Sequence, residues 1–150
     1  MNLWIYQVDK KLVGKELQSI REELQVFIDR WNAHGKKLKA AYELPYDHFI
    51  VLKVDEEEAK ASGCSIDDSV RLLKTIEQKY QLQLFDRMKM GYLKDKEVQL
   101  VPLNGITALY ESGTIGPDTL VFNNAISDQT DYPSQWEIPF GKSPYFNFVH

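Results

Sequence analysis

The residue pattern predicts an α+β protein: a ferredoxin-like βαββαβ plait over residues 1 to about 86, followed by an extension. Three observations carry that expectation. Two stretches repeat apolar residues at three- and four-residue steps, as amphipathic helices do. Four short runs rich in β-branched and aromatic residues alternate with them, in the order strand, helix, strand, strand, helix, strand. Beyond residue 86 the character changes to shorter runs, more turn residues and an aromatic tail containing three prolines.

The first run, "LWIYQV" (3–8), suits a strand. Leu17, Ile20, Leu24, Phe27, Ile28 and Trp31 then share one helical face, which makes Trp31 a core residue. Glu16, Arg21, Glu22, Glu23, Gln25 and Arg30 occupy mainly the other face. Gly35 reads as the helix stop, and the lysines of "GKKLK" as its solvated end. "KLKAAYEL" alternates, "PYD" (45–47) breaks it, and the almost continuous apolar run "HFIVLKV" (48–54) follows as a central strand. An acidic connector, "DEEEAKASG", leads to a second helix. Its predicted cap is Ser65 with Asp68, and its apolar stripe is Ile66, Val70, Leu73, Ile76 and Tyr80. "LQLFD" (82–86) is the expected fourth strand of the plait.

Residues 87–150 are expected to form an extension packed on this core, so that 1–150 make one domain. "KMGYLKDKEVQLV" reads as a hairpin turning at Lys94 to Lys96, "PLNGITALYESG" as a short helix ended by Gly113, and "DTLVFNN" as a strand. The aromatic tail is too apolar to stay disordered. It either lies over the body of the protein or reaches a partner. An open sheet face would also let two copies pair as a homodimer, unless the extension covers it.

Bulk properties narrow the function. The chain is 43% hydrophobic and 27% charged, an ordinary globular mixture that sustains a core. Its net charge of -4 argues against a nucleic-acid backbone as the main partner, because phosphates need clustered lysine and arginine. One cysteine cannot form an internal disulfide, and "MNLWIYQVDKKLVG" has no export-signal pattern, so the expected location is the cytoplasm. No apolar run approaches the roughly 18 residues of a membrane span. The sequence has no G-x-x-x-x-G-K-[ST], G-x-G-x-x-G, C-x-x-C or H-E-x-x-H. It therefore points to no nucleotide or other cofactor and no metal.

A plait would bring "WNAHGK", "SGCSIDD" and "FDR" to one end of the molecule, because both helices turn over there. Two readings of that end stand side by side. In one, Cys64 is a nucleophile at a helix N-terminus, activated by His34, with Asn32 or an aspartate orienting the ring and Arg87 anchoring an anionic substrate. Ser62, Ser65, Asp67 and Asp86 would complete the ligand contacts. In the other, Cys64 is a small buried residue before the Ser65 cap, Asp67 and Asp68 serve the helix dipole, and Asp86 pairs with Arg87 to close a strand end.

At "WNAHGKKL", "ASGCSIDDSVRLLK", "LFDRMKMGYL" and "GTIGPDTLVFNN" with Trp136 after it, the chain resembles a family of small bacterial proteins of no assigned activity. Members often carry the label "ABC transporter ATPase". The residues conflict with that label, since an ABC ATPase needs a Walker A loop and a much longer nucleotide-binding domain. The resemblance implies no catalytic residue or ligand. A shorter stretch, "ITALYESGTIGPDTLVFNN", is similar to small modules that bind proline-rich peptides, with Phe122 where those have tryptophan. Two functions are therefore expected in competition. The favoured one is a non-catalytic module binding a small ligand or a protein, and its competitor is a cysteine-dependent enzyme.

Overall fold

The computed structural model describes residues 2–149, and these divide into two compact units. One comprises residues up to Phe85 together with Ser127–Gln129, the other Asp86–Ile126 and Thr130 onward. Together they make a mixed α+β protein with three α-helices and several antiparallel sheets.

In the first unit, β1 (Leu3–Gln7), β4 (Lys39–Glu43) and β5 (Phe49–Asp55) form an antiparallel sheet in the order β1-β5-β4. The nearly unbroken apolar run takes the central place, where both faces are covered. Two helices, α1 (Gly14–Arg30) and α2 (Gly63–Tyr80), share one core with Trp4, Tyr6, Ile50, Leu52 and Val54. The expected face of α1 is buried through Ile20, Leu24, Phe27 and Ile28. Trp31, just beyond it, is 2% exposed and packs its ring 5.0 Å from Phe27 and edge-on 5.7 Å from Trp4. Such aromatic pairs add about 0.5–1.5 kcal/mol each beyond burial.

Several expectations for this unit are corrected. Residues 82–86 form no strand. Leu82 and Leu84 do enter the core, but the segment pairs with the end of the first strand region only through Asp9 and Gln83. Its next amide, Leu84 N–H, is taken by the Glu77 carboxylate (2.7 Å) rather than by a ladder. Helix α1 ends at Arg30, and residues 32–37 make a tight two-stranded turn, β2 (Asn32–Ala33) with β3 (Lys36–Lys37). The "GKKLK" lysines therefore belong to strands and not to a helix end. His34 and Gly35 at that turn both have positive φ (53° and 80°), as a two-residue hairpin turn of this hand requires.

The second unit is an antiparallel sheet in the order β7-β6-β8-β9. The expected hairpin is present as β6 (Lys89–Lys94) and β7 (Glu97–Pro102), with Asp95 and Lys96 at positive φ in the turn. Helix α3 (Ile106–Glu111) is ended by Gly113 at φ 78°, and β8 (Leu120–Phe122) is the expected strand. The tail supplies a strand the alternation did not reveal, β9 (Glu137–Pro139), followed by two short 3-10 turns. Tyr110, Phe140 and Phe146 form a triangle of rings 5.5–5.9 Å apart. Phe146 and Phe148 nevertheless stay 38% and 42% exposed, so the tail is only partly packed.

Candidate functional site

The chemistry-bearing end of the first unit is built where α1 stops and α2 starts. Helix α2 begins at Gly63 with Ser62 as its cap. The Ser62 hydroxyl accepts from Ser65 N–H (3.1 Å), and the Ser65 hydroxyl accepts from Ser62 N–H (2.6 Å), a reciprocal pair. This replaces the expected Ser65–Asp68 cap and places the helix start one turn earlier. Asp67 and Asp68 consequently lie in the second turn, and the first turn holds no acidic residue.

The shift has a packing cause. Ser65 and Ser69 are 1% and 0% exposed and face the core, where the apolar stripe alone would have put larger residues. Trp31, the residue just past α1, donates its indole N–H to the Ser65 carbonyl (2.8 Å). A small residue at position 65 leaves room for that approach, and the bond ties the end of α1 to the start of α2.

Beside this joint lies a cleft of about 380 Å³, with Phe27, Arg30, Trp31, Asn32, Asp68, Arg71, Leu72 and Thr75 around it. Its lining combines aromatic and aliphatic side chains with polar and charged ones. Arg30 lies over the Phe27 ring, its guanidinium carbon 5.9 Å from the centroid. Arg71 meets Asp68 at 2.9 Å, an exposed i,i+3 pair. Asn32 is held by its own bonds, donating to the Arg30 carbonyl (3.3 Å) and accepting from Gly35 N–H (3.2 Å). A second, more open cleft of about 570 Å³ shares Arg30 and Leu72 with the first and runs on past Val26 to Lys79 and Tyr80. There Glu23 accepts from Lys79 (3.2 Å) and from the Tyr80 hydroxyl (2.5 Å). Burial first, and the Glu23 bond second, push the Tyr80 phenol above its usual range.

Of the residues singled out from sequence, Asn32 lines the first cleft and Ser62 and Ser65 form the adjoining cap. Cys64 is exposed in the first turn of α2, not buried ahead of it. His34 is exposed at the β2–β3 turn, and neither it nor Cys64 lines the cleft. Asp67 is exposed on α2. Asp86 and Arg87 belong to the second unit. There Asp86 accepts from Met88 N–H (2.8 Å) and faces Lys89 at 3.8 Å, in place of the expected pairing with Arg87. The physical reason "FDR" does not join the other two stretches within the first unit is the missing fourth strand. Gln83 stays beside Asp9, and Phe85 packs on Tyr6 at 5.3 Å.

The sequence reading passed over Arg30, Asp68, Arg71 and Thr75 as cleft residues. The available signal was spacing: 68, 71, 72 and 75 fall on one face of α2, but that face carries no recognisable motif. His48, read as part of a strand, is buried with Nδ1 lacking a hydrogen-bond partner, as is Trp4 Nε1. Burial lowers the His48 pKa from its ordinary value. His150 lies outside the described residues. Among those described, no group of three or more His, Cys, Asp or Glu side chains is placed to hold a metal ion, and no helix is long and apolar enough to cross a membrane.

Compared with family models, curated proteins and solved structures, the chain has no match.

Proposed function

We propose that the protein is a non-catalytic binding module of the cytoplasm whose first unit takes a small ligand in the cleft between the end of α1 and the middle turns of α2. One observation carries this reading. Phe27, Trp31 and Leu72 share the lining of one ligand-sized concavity with hydrogen-bonding and charged groups. The Trp31–Ser65 bond supports it further, because a site held by a buried joint between two helices is preorganised.

The order β1-β5-β4 with both helices on one core supports reading this unit as a ferredoxin-like plait in which the fourth strand is reduced to the Asp9–Gln83 contact. ATP hydrolysis has no place in the reading, since the chain has no Walker A loop to cradle phosphates. The cysteine-dependent alternative rests on Cys64 at an exposed helix start, and neither Cys64 nor His34 lines the cleft.

A ligand-detected fragment screen on wild type and on Thr75→Trp tests the proposal. Thr75 is exposed at the cleft wall, so the larger ring fills the space without entering the core. Fragments that bind wild type should be lost in the variant. Fragments that bind both proteins equally, or none at all, would reject the cleft as the site.

A further inference from the structure

Resting on the reading of the cleft as a ligand site, the geometry points to a specific ligand class: an amphipathic monoanion, with a carboxylate head and an apolar tail of about eight carbons. Two features combine to give it. The first is charge. Arg30 and Arg71 line the first cleft with Asp68 as its only carboxylate, which leaves a net charge of +1. A single negative head balances that charge, whereas a dianionic phosphate would leave the first cleft with a net charge of -1.

The head has donors available at low cost. Arg71 is engaged with Asp68 in an exposed pair, its side chain 75% and that of Asp68 50% accessible. Exposed pairs of this kind contribute little, so a ligand carboxylate can share the guanidinium fork with Asp68. Arg30 is already oriented by the Phe27 ring beneath it.

The second feature is continuity. The two clefts share Arg30 and Leu72, so they make one groove along the α1–α2 surface. Val26 lies in it, 62% exposed, a β-branched apolar side chain on a helix face otherwise given to charged and polar groups. From Leu72 past Val26 to the Tyr80 ring the groove offers an apolar path leading away from Arg71, flanked by Ser19, Glu22, Glu23 and Lys79. At its far end the Lys79 cation is paired with Glu23, which also accepts from Tyr80, so Lys79 is already neutralised there. A tail of about eight carbons, on the order of 10 Å extended, spans about seven residues of helix rise, roughly the distance from Leu72 to Lys79.

Calorimetric titration of the full chain with octanoate, octan-1-ol and acetate at one ionic strength tests the assignment. Octanoate should bind wild type, and binding should weaken about tenfold or more in Arg71→Gln and in Arg30→Gln, the loss of one charge-assisted contact. Val26→Glu should weaken it similarly by blocking the tail, and it is exposed enough to leave folding intact. Octanol binding as tightly as octanoate would overturn the anionic class, and acetate binding as tightly would overturn the tail. If octanoate fails to bind while fragments still depend on Thr75, the class is wrong and the cleft stands. Failure of both removes the cleft as well.

Discussion

The two units of this chain reach order by different means. The first buries long amphipathic helices against a sheet, and its cohesion sits in one aliphatic and aromatic core. The second has one helix of six residues and short strands, and it relies on turn geometry and on ring contacts among Tyr110, Phe140 and Phe146. The contrast teaches where a site can be rigid. A cleft bounded by two long helices and tied by a buried indole bond keeps its shape, whereas in the second unit the exposed rings Phe146 and Phe148 lie on a short 3-10 segment.

The comparison breaks first at Trp31. Trp31→Ala should cost about 3–5 kcal/mol in urea unfolding, because it empties the space beside Phe27 and Trp4 and leaves the Ser65 carbonyl without its indole donor. A loss below about 1 kcal/mol would mean the joint collapses freely and organises nothing. Phe140→Ala, in the second unit, should cost about 3 kcal/mol, since a fully buried ring touching Tyr110 and Phe146 is removed. An effect equal to that of an exposed substitution would show the aromatic triangle is not that unit's core.

Smaller changes sharpen the picture of α2. Ser62→Ala should cost about 1 kcal/mol by removing the cap, whereas Asp68→Asn should stay within about 0.5 kcal/mol. The reverse ranking would restore the later helix start suggested by the sequence. The smallest effect at neutral pH concerns His48. Burial holds its pKa below the usual 6.5, with Asp9 opposing that shift and Lys11 reinforcing it. The unfolded chain therefore takes up a proton before the native one as pH falls through 6.5, and stability drops across that window. Above it the contribution vanishes. Urea midpoints measured from pH 7.5 down to 5 should decline less steeply in His48→Gln, and identical slopes would show that His48 does not carry this dependence.

Much of this was legible in the sequence where periodicity governs. The stripe of α1, the alternation before Pro45, the apolar run of β5 and the Asp95–Lys96 turn each follow from local residue pattern. What escaped was decided by partners distant in the chain. Ser65 looked like the N-cap itself and is instead the buried third residue of a cap begun at Ser62, its carbonyl taken by an indole from position 31. "LQLFD" has the composition of a strand, yet the Glu77 carboxylate and Asp9 take its amides. The cleft was half visible. Asn32 and the neighbourhood of Ser65 were singled out, but attention went to Cys64 and His34, whose chemistry is conspicuous, and passed over Arg30 and Arg71, which look like ordinary solvated helix residues.

An amide chemical-shift map of the full chain with bound fragments tests the ligand cleft most directly. The largest shifts should cluster at residues 27–32 and 68–75, in the first unit. Shifts centred instead on Tyr110, Phe146 and Phe148 would contradict it, and would move the binding surface to the aromatic tail of the second unit.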